Sequence, residues 1–227
     1  MGPRSKGAPV NPADMTLAEI RVALAPHIAA DAAFDGWTMA AAESAASVLG
    51  VDPATARIAF PGGAMDMIEA WIGSIDAAMV EALPAETLAA LPIRERIRRL
   101  VQFRLDAVTA TRESLRRAMA IMAMPQNLAR STQLGWRSAD VMWRLAGDTA
   151  TDYNHYTKRA ILAGIYTATL TVFVGDQSEH CAETSAFLGR RIDGVMRFEK
   201  AKAKWTKQSE VHFSPARFLG RLRYPAR

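Results

Sequence analysis

The residues best suited to chemistry stand together in one stretch, DYNHYTKRAILAGIYTATLTVF, at positions 152–173. Its polar end carries Asp152, His155, Lys158 and Arg159, whereas the remainder is almost purely apolar. Such a stretch is compatible with a metal site, a catalytic cluster or the exposed end of a buried helix. Each interpretation needs different partner residues elsewhere in the chain.

A metal site would begin with Asp152 and His155, which are three positions apart and therefore share one face of a helix. Di-iron helical bundles use two Glu-x-x-His pairs and two further carboxylates on facing helices. This sequence has one loose copy of the pair, and His27, His180 and His212 lack matching acids at that spacing. We therefore expect no metal and no cofactor.

Nucleophilic catalysis has even less support in the sequence. There is no Gly-x-Ser-x-Gly motif and no glycine-rich phosphate loop, and the single cysteine, Cys181, has only His180 beside it. We therefore expect no catalytic residue and a protein that is not an enzyme. A single cysteine also excludes an intramolecular disulfide, which fits a reducing compartment.

Almost the whole chain is predicted to be helical, because helix-favouring residues dominate and apolar residues recur at spacings of three and four. Thr38 and the Asp52-Pro53 pair are expected to begin the second and third helices. The expected helices cover residues 16–33, 38–49, 53–60, 64–81, 85–90, 93–108, 112–123, 126–146, 152–174 and 179–203. The predicted fold class is all-α.

In the third interpretation, the polar residues of this stretch are the exposed end of a helix whose remainder is buried. From Ala160 onward this helix is apolar on all sides, as expected at a domain centre or in a dimer interface. We expect a homodimer through the helices near 152–174 and 179–198. Tyr153, His155 and Tyr156 would then lie near the surface, as anchors of a protein contact or as ordinary amphipathic cover.

Charge separates the two ends of a chain whose net charge is +5. Residues 14–76 hold two basic residues against nine acidic ones, and residues 197–227 hold nine basic residues against two acidic ones. Residues 1–15 have no apolar core and are expected to be a disordered lead-in rather than a signal peptide. No apolar run reaches the ~18 residues of a transmembrane helix, so we expect a soluble, cytoplasmic-side protein.

The pattern of residues 32–72 resembles the helix-turn-helix region of TetR-type repressors, with an all-helical ligand domain expected to follow. A recognition helix needs donors for base edges and cations for phosphates. Here that helix is PATARIAF, whose one cation is Arg57, in an acidic region that would repel DNA. We therefore expect a vestigial helix-turn-helix that binds no nucleic acid. The alternative hypothesis is a TetR-type regulator responding to a small apolar ligand.

Residues 141–192 resemble the ubiquinone-biosynthesis accessory protein family. The matching segments are Ala146-Gly147-Asp148, Asp152-Tyr153-Asn154, Tyr156-Thr157-Lys158-Arg159, Asp176, Ala186-Phe187-Leu188 and Arg191. The resemblance implies a TetR-like, lipid-binding protein that assists the demethoxyubiquinone hydroxylase. Its ligand would be an isoprenoid quinone intermediate or a phospholipid. By position, the implied partner-binding residues are Met142, Trp143, His155 and Tyr156, with His155 in place of the Trp often found there.

A protein that handles a polyprenyl tail needs an apolar cavity, because such a tail is costly to expose to water. Methionine suits flexible ligands, and seven of the 11 methionines lie in the predominantly helical region expected between residues 64 and 146. They are Met65, Met67, Met79, Met119, Met122, Met124 and Met142. For any single methionine, core packing is the favoured interpretation, and the sequence does not show which of them line the cavity.

The segment SPARFLGRLRY, at 214–224, predicts a short basic amphipathic helix begun by Ser214 and Pro215. Such a helix suits an anionic membrane surface, and docking on its own domain is the alternative. The expected membrane-binding residues are Arg217, Phe218, Leu219, Arg221, Leu222 and Arg223. The predicted organisation is a lead-in at 1–15, a helix-turn-helix-like subdomain at 16–60, a lipid-binding and dimerisation domain at 61–203, and a basic tail at 204–227.

Overall fold

The computed structural model describes residues 14–149, 153–195 and 197, and this described part contains helices and no strand. The helices are α1 (Leu17–Asp35), α2 (Met39–Val48), α3 (Pro53–Ala59), α4 (Ala64–Ala82), α5 (Ala85–Leu88), α6 (Ile93–Ala107), α7 (Arg112–Met122), α8 (Leu128–Leu145) and α9 (Tyr153–Gly175). A further helix, α10, covers residues 182–195. The predicted all-α fold class is confirmed.

The helix ends of α1 to α9 lie close to those predicted, because the local start signals are used as expected. The Thr38 hydroxyl accepts a hydrogen bond from the backbone N–H of Ala41, and the Asp52 carboxylate accepts one from Ala54. Each satisfies one of the N–H groups that the first turn of a helix leaves unpaired. The basic tail, residues 204–227, lies outside the described residues, as do residues 1–13.

The three N-terminal helices pack closely on one another because α2 faces α1 and α3 with small side chains. Ala41, Ala42, Ala45 and Ala46 have no exposed surface. This subdomain is joined firmly to the rest of the molecule, since α1 also packs against α4 and α7. At that junction the Ser114 hydroxyl donates to the backbone oxygen of Ala29 at 2.5 Å.

Charged side chains join α4 to α8 along one side of the molecule. Arg130 of α8 donates to Asp66 at 2.6 Å and to Glu69 at 2.5 Å, both on α4. Asp66 also accepts a hydrogen bond from the backbone N–H of Gly62 at 2.7 Å. A Cβ at position 62 would lie 2.6 Å from an Asp66 carboxylate oxygen, so this contact requires glycine. Asp66 thus fixes both the start of α4 and its distance from α8.

The turn between α9 and α10 is organised by Asp176. Its carboxylate accepts hydrogen bonds from the hydroxyls and backbone N–H groups of Ser178 and Thr184. These bonds, from the Ser178 hydroxyl first and the Thr184 hydroxyl next, hold the pKa of Asp176 well below its usual value. Asp176 therefore stays ionised and fixes where α10 begins relative to α9.

Helix α9 is apolar on all sides, but a single chain buries only one of its faces. The buried face carries Leu162, Tyr166, Thr169 and Phe173. The opposite face is exposed and built from small residues, Ala160, Gly164, Thr167 and Thr171. Burial of both faces of α9 would therefore require a second chain. The homodimer stays a prediction. Within the described residues, none of the helices has the length and hydropathy needed to cross a membrane.

Candidate functional site

A cavity of about 430 Å³ lies between α4, α6, α7, α8 and α9. Its volume falls within the ~300–1,000 Å³ typical of small-molecule sites. Most of its lining is apolar, and it includes Ile68, Trp71, Ile72, Ile75, Val108, Leu115, Met119, Met122, Leu128, Leu134 and Leu170. An apolar chain is therefore the kind of group that this space accommodates best.

Two of the seven methionines considered from the sequence, Met119 and Met122, line this cavity. Both belong to α7, of which Met122 is the last residue. Met67 and Met79 are instead completely buried in the core. The spacing of methionines alone did not distinguish these two roles, because each depends on which helix faces which.

One wall of the cavity is polar. Arg104 of α6 forms a buried ion pair with Asp76 of α4, and Asp76 also accepts a hydrogen bond from the Ser138 hydroxyl of α8 at 3.0 Å. The guanidinium of Arg104 lies over the ring of Tyr166 of α9, with its carbon 4.8 Å from the ring centroid. Arg104, Ser138 and Tyr166 all line the cavity. We call Asp76, Arg104, Ser138 and Tyr166 the polar wall.

The cavity borders an open groove between α8 and α9. Five residues line both spaces, namely Ser131, Thr132, Gly135, Thr167 and Thr171. Ala163, Gly164 and Ala168 extend the groove along α9. Because the side chains at this border are small, they obstruct the approach of an elongated molecule less than large side chains would.

A second candidate site is an aromatic surface formed where α8 and the start of α9 meet. It consists of Trp136, Trp143, His155 and Tyr156. The Tyr156 ring lies 6.0 Å from that of Trp136 and 5.1 Å from that of His155, measured between centroids. Tyr156 is 62% exposed. Partly exposed aromatic rings beside charged groups are typical anchors of protein–protein contacts.

Buried charges hold this aromatic surface in place. Arg159, whose side chain is 2% exposed, donates to Asp140 of α8 at 2.5 Å and to Asp148 at 3.0 Å. Its guanidinium also donates to the backbone oxygen of His155 at 3.1 Å. Trp143 donates through its indole N–H to the backbone oxygen of Lys158 at 2.9 Å. The first turns of α9 are thus fixed against the end of α8.

The structure corrects one of the four predicted partner-binding residues. Met142 is completely buried, so its side chain is part of the core and not of the aromatic surface. The reason is geometric, because neighbouring residues on a helix point about 100° apart. His155 and Tyr156 contact each other, and the half-buried Trp143 donates to the backbone of the same first turns of α9, at Lys158.

The sequence analysis missed Trp136. It is seven residues before Trp143 on α8 and therefore lies on the same face. That spacing is the signal that would have found it.

The described residues do not favour metal binding, cysteine chemistry or DNA binding. Within residues 14–149, 153–195 and 197, no group of three or more His, Cys, Asp or Glu side chains is placed to hold a metal ion. Asp152, considered as a ligand from the sequence, lies outside the described residues. Cys181 accepts a hydrogen bond from Arg112 at 3.0 Å. Arg57, the cation of the vestigial recognition helix, is paired with Glu43 at 2.6 Å.

Residues 128–199 match the family model COQ9. The chain is 34% identical to the mitochondrial ubiquinone biosynthesis protein COQ9 of Rattus norvegicus over 168 residues, which cover 71% of this chain and 54% of that protein. It is 32% identical to the Homo sapiens protein of the same name, covering 71% and 52% respectively. The chain is related to the COQ9 family. It spans about half the length of the curated COQ9 proteins that it matches.

The fold also resembles a solved structure from outside the COQ9 proteins. A TetR transcriptional regulator from Nitrosomonas europaea ATCC 19718 superposes with a TM-score of 0.61 at 21% sequence identity. The match covers 77% of this chain and 96% of the regulator. The predicted TetR-like fold is therefore confirmed. The COQ9 match begins at the first residue of α8 and also includes α9 and α10. The groove and the aromatic surface, which lie on α8 and α9, are therefore within it.

We expect Arg159→Met to lower the free energy of unfolding by about 3 kcal/mol, because it removes the buried cation shared by Asp140 and Asp148 and leaves them only their more exposed partners, Arg144 and Lys158. The matched control is Arg144→Met, which removes a cation that pairs with the same Asp140 from a side chain that is 73% exposed. Its loss should stay below about 1 kcal/mol. Urea denaturation of both variants measures the difference. Equal losses would show that Arg159 does not hold α9 against α8.

Proposed function

We propose that this chain is a non-enzymatic accessory protein of ubiquinone biosynthesis. In this role it takes an isoprenoid quinone intermediate from the membrane and presents it to the demethoxyubiquinone hydroxylase. The observation that carries the proposal is the apolar cavity opening between α8 and α9, two helices within the region that matches COQ9. The ubiquinone biosynthesis proteins related to the chain support the choice of ligand class.

The cavity supports ligand binding rather than catalysis. Its wall includes the buried Arg104–Asp76 pair, in which each charge already has a partner. A general acid or base has to exchange a proton with its substrate near neutral pH. A guanidinium does not lose its proton in that range, so Arg104 is suited to binding and orientation.

Lipids that copurify with the folded protein test the proposal. Mass spectrometry of the protein purified in mild detergent and then dialysed should detect an isoprenoid quinone or its precursor, in amounts that approach one per cavity. Protein in which the cavity holds no lipid after purification from quinone-producing cells would contradict the proposal.

The alternative, a TetR-type regulator, rests on the fold alone. In the described structure the exposed Arg57 is neutralised by Glu43, so the third helix offers little free positive charge to phosphates. DNA binding at low salt distinguishes the two functions. Tight binding whose affinity falls steeply with salt would favour the regulator, whereas the accessory function predicts no such binding.

The aromatic surface is the proposed contact with the hydroxylase, now comprising Trp136, Trp143, His155 and Tyr156 without Met142. Tyr156→Asp should weaken the association at least tenfold, because it places a charge at the most exposed ring of the surface. Binding of the purified hydroxylase to immobilised protein measures the effect.

The matched control for that variant is Ile58→Asp on α3, a position with 64% exposure that lies outside the aromatic surface. It should leave hydroxylase binding unchanged. Melting temperatures of both variants should stay close to that of the original protein. If Tyr156→Asp binds normally, or unfolds the protein, this surface is not the contact.

Association with the membrane is assigned to the tail, which the sequence predicts to be a basic amphipathic helix. Removing residues 208–227 should reduce flotation with vesicles that contain anionic lipid, since each arginine near such a surface contributes about 1 kcal/mol. The double variant Phe218→Ser/Leu222→Ser tests the apolar contribution, which should persist at high salt. Unchanged flotation of the shortened chain would exclude the tail as a membrane element.

The remaining parts of the proposal concern assembly and location. A second copy of the chain placed against the exposed small-residue face of α9 would form the predicted homodimer and enclose the groove, because Gly164, Thr167 and Thr171 belong to both. The protein would act on the cytoplasmic face of the inner membrane as a peripheral protein. The mitochondrial names of the related proteins support an association with a quinone-producing membrane.

A further inference from the structure

A small apolar depression, separate from the lipid cavity, lies where α6, α8, α9 and α10 meet. Its volume is about 50 Å³, and it is lined by Ile93, Arg94, Ile97, Trp143, Ile161, Leu162, Ile165, Ile192 and Val195. None of these residues lines the cavity. We call this depression the anchor cleft. Since a water-sized group needs about 10–15 Å³ of such space, the cleft has room for about four heavy atoms, the size of one leucine side chain.

The anchor cleft is apolar and open to solvent. Ile97, Leu162 and Ile192 are buried and form its floor, whereas Ile93, the first residue of α6, is 36% exposed. The cleft presents no polar surface, so Arg94 lines it with its hydrocarbon stem. A concave site of this size suits the insertion of one apolar side chain. A bilayer surface instead takes up apolar side chains that protrude from a protein.

Cations outnumber acids around the anchor cleft. Residues 94–98 of α6, RERIR, carry three arginines and one acid, and residues 190–193 of α10, RRID, carry two arginines and one acid. Arg94 and Arg98 have largely solvent-accessible side chains and lie 3.7 Å and 3.8 Å from the same Glu95 oxygen. One carboxylate therefore serves two cations, and the rim favours a partner surface with acidic residues.

Trp143 connects the anchor cleft to the aromatic surface. It lines the cleft, and its indole N–H donates to the backbone oxygen of Lys158 in the first turns of α9. The Lys158 Nζ lies 5.5 Å from the centroid of the Trp143 ring. His155 and Tyr156 belong to the same turns of α9. A partner that covers the aromatic surface is therefore also brought to the edge of the cleft.

Charge argues against two other occupants of the anchor cleft. The chain's own tail, residues 204–227, carries six basic residues and one acidic residue, so the positive rim repels it. A second copy that docked cleft to cleft would bring together two rims of the same charge. An acidic partner with an apolar side chain fits both the rim and the floor.

We propose that the anchor cleft is part of the contact with the hydroxylase. It receives one aliphatic side chain from a hydroxylase segment that also places acidic residues opposite Arg94 and Arg98. This inference rests on the proposed function and extends the contact from the aromatic surface to α6 and α10. The aromatic surface supplies exposed rings, and the cleft supplies a pocket that an apolar anchor fills.

The variant Ile93→Asp places a charge at the edge of the anchor cleft. Because Ile93 is exposed and begins α6, an acid there suits the helix N-terminus and should leave the melting temperature unchanged. Binding of purified hydroxylase to the immobilised protein should weaken about tenfold, as expected when an apolar anchor loses its pocket. The matched control is Leu17→Asp, which changes a 45% exposed apolar residue at the first position of α1. It should bind normally.

The rim is tested by Arg94→Gln, which removes the charge and keeps most of the stem. The rate of association with the hydroxylase should fall about threefold at low salt and should not change at high salt. The control is Arg57→Gln, which removes another exposed arginine that lies beside a glutamate, here Glu43 on α2. It should leave the rate unchanged.

The outcomes distinguish the anchor cleft from the proposed function. Normal hydroxylase binding by Ile93→Asp, in an assay in which Tyr156→Asp is impaired, would overturn the cleft and leave the proposed function in place. Failure of the original protein to bind the hydroxylase would overturn both. Normal hydroxylase binding by Ile93→Asp with reduced vesicle flotation, or with an altered oligomeric mass, would assign the cleft to a membrane or to a second copy and overturn the proposal. If Ile93→Asp lowers the melting temperature, Arg94→Gln decides, and an unchanged association rate at low salt overturns the proposal.

Discussion

The structure depends on ion pairs, and on the hydrogen bonds of the same charged side chains, which hold α4, α6 and α8 at fixed distances around a cavity. Helices that enclose empty space lose the close contacts that normally hold a core together. Here Asp76 binds Arg104 and Ser138, and Arg130 binds Asp66 and Glu69. These bonds are directional and break if the helices move together or apart. The shape of the cavity is therefore set in part by the same residues that give it one polar wall.

At the other end of α8, ion pairs again fix the position of one helix against another. Arg159 is buried between two carboxylates, Asp140 and Asp148, and fixes the first turns of α9. The groove and the aromatic surface therefore both depend on the position of α9 against α8. A ligand entering through the groove and a partner bound to the aromatic surface would contact opposite parts of one helix pair. This arrangement offers a physical route by which partner binding and ligand release influence each other.

The helices, their caps and the fold class could be predicted from the sequence, because these depend on local patterns. Thr38 and Asp52 begin helices as expected, and the specific segment at 152–159 identified the family. The cavity could not be predicted, because its walls come from helices far apart in the chain. Met142 could not be assigned from the family resemblance alone. Adjacent residues on a helix face different ways, so the structure buries Met142 although the neighbouring Trp143 is partly exposed. Trp136, at the correct helical spacing, was overlooked.

The central claim is that the cavity holds the lipid. A large side chain introduced where the cavity meets the groove tests this claim most directly. Gly135 lines both the cavity and the groove, and a Cβ there meets nothing within 4 Å. Gly194 on α10 also has open space at its Cβ and lies away from the cavity. The measurement is the amount of copurified quinone lipid in Gly135→Phe compared with Gly194→Phe at equal melting temperature. The account predicts that Gly135→Phe loses the lipid and Gly194→Phe keeps it, and equal lipid content in the two variants would contradict it.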